Sequence, residues 1–435
     1  MKRDPTSVVR EAEAGRGNAG PGPAMRGRPI RHLYVHVPFC ASKCEYCAFF
    51  SEAAQGELVN RYVRALVREL ESVARDLVPE TVFFGGGTPT LLNCRQWEEI
   101  LAAMRRFGLD RPAEWTVECN PATLSPDKAR LLREGGVNRI SMGVQSLDRD
   151  LLERLGRVHS REMAFRSYDI LRQAGFDAVN LDLMFAIPGQ TQAVWQRTLA
   201  EAIAMRSEHL SSYEVIYEED TPLFAQLQAG ACEIDEDLAC AMYDTLVDTA
   251  ETHGLEQYEI ANFARGGQSS LFTLDPATSN PASAPLVASR VPALACRHNI
   301  AYWRGRSFHG LGPSASSLVD GVRTRQLANT QLYCEQIERG RRPVETRDEL
   351  PPLARAGEIA GFGLRMVVGW GFEEFRMATG YDLRDEWGED LRWLAEQRLG
   401  EFTEEGFRLT RHGLRFADLA AERLLRPGTS WIGGG

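Results

Sequence analysis

The chain has 435 residues and a formal charge of −10, with an isoelectric point near 5.5, and at ~100 to 200 residues per domain it holds two or three domains. That acidic balance, with no run of Lys and Arg, argues against a nucleic-acid surface, and no stretch approaches the ~18 apolar residues of a bilayer span. Nine cysteines is an odd number, and Cys94, Cys119, Cys232, Cys240, Cys296 and Cys334 are scattered, which is no disulfide framework; without a signal-peptide core, the expected compartment is the cytoplasm.

Residues 1–28 are rich in Gly, Pro, Arg and Ala with no apolar period, so they cannot bury enough surface to offset ordering and are expected to form a disordered leader. Met25 offers an alternative start. From 29 to 265 short apolar runs alternate with helical stretches, the pattern of repeated βα units on a parallel sheet. The expected strands are 33–37, 81–84, 115–118, 139–142, 178–184 and 210–215, with helices at 57–76, 94–107, 126–134, 149–155, 162–174 and 192–205. Six such units make an α/β fold, a partial (β/α)6 barrel. Residues 266–295, with Gly-Gly-Gln-Ser-Ser and repeated Pro, Ala and Ser, read as a mobile insertion. Residues 296–349, dense in His, Asn, Tyr, Trp and Gly at their start, complete the barrel, and 350–435 read as a small helical or winged-helix-like domain.

The chemistry concentrates early. Tyr34-Val-His-Val-Pro-Phe-Cys40-Ala-Ser-Lys-Cys44-Glu-Tyr-Cys47 sets three cysteines at CxxxCxxC spacing in the loop after the first strand, where parallel barrels collect their reactive groups. A tetrahedral zinc site wants four ligands, whereas a cubane iron–sulfur cluster on three cysteines leaves one iron open. A zinc knuckle with its fourth ligand elsewhere and a chance grouping of buried cysteines are the alternatives. Gly85-Gly86-Gly87-Thr88-Pro89 follows the second strand, and glycines let backbone groups approach a ligand with no Cβ in the way. Glu118, Gln145 and Asp182 stand at the ends of the third, fourth and fifth strands, with Arg157 just beyond. Each alone could be a structural hydrogen bond; together they point to a shared site, and a carboxylate inside an apolar strand needs a partner or ligand.

Taken in order, Tyr34-x-His36-x-Pro38-x-Cys40, Gly85-Gly-Gly-Thr-Pro89, Glu118-x-Asn-Pro121, Ser141-x-Gly-x-Gln145, Asp182-Leu-Met-Phe-Ala-Ile-Pro188 and Tyr258-Glu-Ile-Ala-Asn262 resemble the oxygen-independent coproporphyrinogen III oxidase-like branch of the radical S-adenosylmethionine (SAM) superfamily. The resemblance covers roughly residues 30–425. It implies a 4Fe-4S cluster on Cys40, Cys44 and Cys47, and SAM contacts from Tyr34, Gly86, Gly87, Thr88, Glu118, Gln145, Arg157 and Asp182. The oxidases of the branch carry a fourth cysteine two residues after the third, where this chain has Phe49. Arg297-His298-Asn299-Ile-Ala-Tyr302-Trp303 is instead similar to the HNxxYW motif of the branch's heme chaperones. That resemblance implies heme as cargo, with His298 as a ligand to heme iron and Tyr302 and Trp303 against the porphyrin, a heme-acceptor protein and an electron-donor protein as partners, and membrane contact only through the acceptor. The bland alternative makes His298 and Asn299 a turn cap and the aromatics core. In the chaperone pattern Tyr-Glu-Ile-Ser/Ala-Asn runs closely into Arg-His-Asn, whereas here the 266–295 insertion intervenes. The rival activity is oxidative decarboxylation of porphyrinogen propionates.

Overall fold

A computed structural model describes residues 29–266, 268–269 and 291–426. The expected leader, and the 266–295 insertion apart from its feet, lie outside the described residues. Six strands, β1 (Ile30–Val37), β2 (Leu77–Gly86), β3 (Glu114–Cys119), β4 (Arg139–Gln145), β5 (Val179–Phe185) and β6 (His209–Glu214), lie side by side in chain order and parallel. Between them run α1 (Gly56–Val73), α2 (Cys94–Arg106), α3 (Pro126–Glu134), α4 (Arg149–Arg154), α5 (Arg161–Gln173) and α6 (Gln192–Ala204), and after β6 come α7 (Pro222–Gln228) and α8 (Glu236–Thr252). Side-chain caps set several helix starts: Asn93 and Gln96 form a capping box, and Ser125, Asp148, Ser160 and Thr191 each accept a backbone N–H of the first turn.

The sheet extends past the six strands. β7 (Glu256–Glu259) and β8 (Asn262–Ala264) add antiparallel beyond β6, while a segment with no strand expectation supplies β9 (Phe308–Leu311), parallel to β1 on its other side. A meander of β10 (Ser316–Val319), β11 (Val322–Gln326) and β12 (Val344–Glu349) finishes that flank, giving twelve strands in the order β12-β11-β10-β9-β1-β2-β3-β4-β5-β6-β8-β7. Residues 296–349 are expected to complete the barrel, but the sequence assigns no strand there because Phe-His-Gly-Leu is too short and mixed to show a strand period.

The two faces of the sheet differ. Leu33, Val35, Val37, Val82, Phe84, Val117, Ile140, Met142, Leu181 and Leu183 point to the helices and form one buried core with Tyr62, Leu66, Trp97 and Ile100. The alternate residues pair across the other face by register: His32 with Thr81, Tyr34 with Phe83, Glu118 with Ser141, Asn180 with His209, Asp182 with Ser211. Period-2 alternation thus separates an apolar jacket from a polar interior.

Residues from 352 form a second core around Leu364, Trp370, Phe375, Trp387, Leu391 and Leu414. It is built by α10 (Pro352–Gly363), α11 (Phe372–Thr379), α12 (Leu383–Glu396), α13 (Ala417–Leu424) and a small antiparallel sheet of Trp370–Gly371, Gly406–Leu409 and Gly400–Phe402. The helix α9 (Arg297–Trp303) joins it to the barrel. Buried Arg304, just past α9, pairs with Glu374 at 3.1 Å, donates to the Gly369 carbonyl at 2.9 Å and lies 4.2 Å over the Trp370 ring.

Candidate functional site

At the C-terminal ends of the strands the cysteine loop is tied down on both sides by backbone hydrogen bonds. Gly87 N donates to the Val37 carbonyl and Thr88 N to that of Phe39, both at 2.8 Å; Glu45 N donates to the Leu155 carbonyl at 3.1 Å. Cys40, Cys44 and Cys47 are free and part-buried. Cys40 Sγ lies 3.6 Å from Thr88 Oγ1, and Arg157 donates from Nη1 to Cys44 Sγ at 3.5 Å and from Nη2 to the Gly143 carbonyl at 2.6 Å. Burial, with the neighbouring thiols, pushes the Cys47 thiol up to about 11. Among the described residues no three His, Cys, Asp or Glu groups close on a point as they would around a single ion. Three soft sulfur donors on one strap, with a guanidinium beside them, suit an iron–sulfur cluster, whereas a tetrahedral zinc site wants a fourth ligand.

The glycine loop meets this strap. Gly86 has φ +99°, and a Cβ there would lie 2.4 Å from the His36 ring; one on Gly85 would lie 2.8 Å from Glu118 Oε1. Only glycine fits both positions without displacing a neighbour. Gly86 N donates to Glu118 Oε2 at 3.2 Å, and burial together with the charge of Asp182 pushes the Glu118 carboxyl up to about 8. Asp182 accepts from Ser141 Oγ at 3.1 Å and Asn180 Nδ2 at 2.8 Å, yet burial still raises its pKa. Gln145 ends β4 with φ +64°, a left-handed conformation costly for a side chain of this kind. A Cβ added at Gly143 would meet Gln145 Nε2 at 3.1 Å and Arg157 Nη2 at 3.4 Å, so these two side chains crowd the same strand end. The structure therefore gathers the three cysteines, Gly86, Gly87, Thr88, Glu118, Gln145, Arg157 and Asp182 at one mouth, with Tyr34 two residues before His36 on the inner face of β1.

The HNxxYW stretch lies elsewhere. His298 is 1 % exposed; its Nδ1 is 2.7 Å from Thr81 Oγ1 and its Nε2 is 2.9 Å from Tyr302 Oη, while its ring stacks on Phe83. Glu114, the first residue of β3, accepts from the Arg297 and His298 backbone N–H groups at 2.9 and 3.0 Å. This is the opposite end of the strands. The expectation that His298 presents an imidazole to heme iron is not met by this arrangement, because both ring nitrogens are committed; Tyr302 is bonded to that ring, and Trp303 packs near Phe362 with Arg365 4.9 Å over it. Here α9 plugs the floor of the barrel. Two contributors carry no assigned role in the sequence reading, His36 and Glu114. His36 was legible in Tyr34-x-His36 as an alternating polar pair, whereas Glu114 looked like a strand edge and only the fold brings it under α9.

Comparisons with known proteins bear on the family and the fold. The Radical SAM superfamily model matches residues 34–202 and the HemN C-terminal domain model residues 350–416. The heme chaperone HemW of Bacillus subtilis is 32% identical over 392 residues, 88% of this chain and 96% of that protein. HemW of Escherichia coli is 32% identical over 70% of this chain and 74% of its own length, and the mitochondrial radical SAM domain-containing protein 1 of Bos taurus is 30% identical over 95% and 91%. In three dimensions the chain is similar to the coproporphyrinogen III oxidase HemN of Escherichia coli, with a TM-score of 0.72 at 20% identity over 91% of this chain and 90% of that one, a likeness of fold. With its cysteine strap and glycine loop at the strand ends, the chain belongs to the HemW family within the radical SAM superfamily.

Proposed function

We propose that this protein binds heme and passes it to an acceptor protein, using a 4Fe-4S cluster on Cys40, Cys44 and Cys47 and SAM at the strand ends. The observation that carries this reading is the identity of 32% over 88% of the chain with a protein named heme chaperone HemW. When bound, a cluster on three thiolates leaves one iron open to the amino and carboxylate groups of SAM and supplies an electron to it. The chain's own residues would do the rest: the strap presents the sulfurs, Arg157 offsets their negative charge, the bare backbone at Gly86 and Gly87 and the side chain of Thr88 admit the ligand's amino end, and Glu118 and Asp182 accept from its hydroxyls. Gln145 is held at the same mouth. An electron-donor protein and a cytoplasmic setting belong to the same proposal; no helix among the described residues is long and apolar enough to cross a membrane.

Heme is the cargo in this reading, and the buried imidazole of His298 gives it no support as the ligand. The test is anaerobic reconstitution to about four iron and four sulfide per chain, heme titration followed by the Soret band, then transfer to a heme-free acceptor. Saturable heme binding with transfer supports the proposal. Conversion of coproporphyrinogen III to protoporphyrinogen under reductant and SAM, without heme binding, replaces it with the oxidase reading, which Phe49 at the position of the oxidases' fourth cysteine disfavours.

A further inference from the structure

The inner face of β1 carries a short chain of hydrogen bonds whose direction can be worked out from its end. His36 is 4 % exposed. Its Nε2 lies 2.8 Å from the carbonyl oxygen of Phe50, three residues past Cys47, and its Nδ1 lies 3.1 Å from Tyr34 Oη. A carbonyl can only accept, so Nε2 must carry a proton. Burial holds the ring neutral, its pKa lowered to about 4, and a neutral imidazole with its proton on Nε2 has an unprotonated Nδ1. That nitrogen can only accept, so the Tyr34 hydroxyl proton is spent on it. The phenol ring is fixed meanwhile by stacking on Phe83 at 6.2 Å between centroids, and the imidazole by the bare face of Gly86, where a Cβ would lie 2.4 Å from the ring.

We infer that His36 is a positioning residue that locks the hydrogen-bond polarity of the mouth: it fixes Tyr34 Oη as an acceptor, matched to an N–H donor on the ligand, and ties the exit of the cysteine strap to β1 through the Phe50 carbonyl. The part that concerns the ligand rests on the proposed SAM site, and an amine-bearing sulfonium nucleoside supplies such a donor. The polarity itself does not rest on it. A hydroxyl on the ligand can serve this position only by donating, and a carbonyl or carboxylate there is rejected.

The test has two arms. Selective 15N-histidine labelling of the cluster-free protein reads the tautomer directly: the inference expects His36 with a protonated Nε2 and an unprotonated Nδ1 between pH 6 and 8 (about the working range of a neutral imidazole), and a protonated Nδ1 overturns it whatever the cofactor. In the second arm, SAM dissociation constants are measured on reconstituted wild type, Tyr34→Phe, His36→Gln and the double variant, with iron and sulfide content confirming cluster loading. Gln keeps an N–H for the Phe50 carbonyl and, with its amide oxygen on the same carbon as that N–H, carries no acceptor at the Nδ1 position. Each single change is expected to weaken SAM about five- to tenfold, the worth of one hydrogen bond, and the double no more than the weaker-binding single, because both act on one contact. Multiplying effects overturn the lock. Wild type that takes up a cluster yet ignores SAM refutes the proposed site while leaving the tautomer result standing.

Discussion

The mouth and the floor of the barrel are both buried and polar, yet they are finished differently. At the floor Glu114 accepts two backbone N–H groups of α9, and His298 uses both ring nitrogens, on Thr81 and Tyr302. At the mouth Glu118 accepts from the Gly86 N–H, the three cysteines are part-buried with Cys40 beside Thr88 and Cys44 beside Arg157, and Gln145 is held in a left-handed backbone. Polar groups that satisfy one another in low dielectric fix a structure, whereas thiols and carboxyls gathered at strand ends can take a ligand. The difference separates two motifs that look equally chemical in one dimension: the CxxxCxxC loop stands part-buried among charged and polar groups at the mouth, and the HNxxYW stretch is packed into the floor.

Four changes would break or sharpen that contrast. Replacing Cys40, Cys44 and Cys47 together by Ala is expected to abolish iron and sulfide uptake on anaerobic reconstitution, while unfolding of the cluster-free chain shifts by less than ~1 kcal/mol, since the thiols are free and part-buried. A large loss of stability would make the strap a structural element. Glu114→Ala should do the reverse. Removing a buried carboxylate from the N-terminus of α9 and from buried Arg139, whose pKa its charge helps raise, should cost about 3 kcal/mol in urea unfolding with cluster uptake retained.

The third change concerns pH. The folded-state value of Glu118 lies near 8 against an ordinary 4.5, so its contribution to stability is intact below the ordinary value and lost as pH rises through about 8. Glu118→Gln should therefore gain on wild type between about pH 5 and 9, by on the order of 2 kcal/mol after allowing for partial exposure; urea unfolding of the cluster-free proteins at the two pH values measures it. Equal stability at both would show that the carboxyl already has a partner. The smallest effect is expected from His298→Ala, which should leave heme affinity within about twofold while lowering stability by roughly 2 kcal/mol. A tenfold loss of heme affinity in a titration would turn the floor into a ligand site and collapse the contrast.

Much of the fold was legible from period alone: the helix expected at 126–134 forms as Pro126–Glu134, and the six parallel strands fall within a few residues of their expected limits. The gathering at the mouth was legible too, since its residues are polar, cysteine or glycine positions placed just after apolar runs. What stayed hidden depends on long-range pairing. β9 owes its place beside β1 to a register with residues some 275 positions earlier, which no local pattern carries. Whether an imidazole is presented or walled in depends on Thr81, Phe83 and Glu114, none of which is near His298 in sequence.

The alternation along β1 to β6 has one more consequence. Apolar cohesion resides in the outer shell, where valines and leucines meet the helices, so above the plugged floor the lumen adds less to holding the molecule together. Descendants of such a scaffold are free to rewrite what the interior recognises, residue by residue, without renegotiating the architecture that surrounds it.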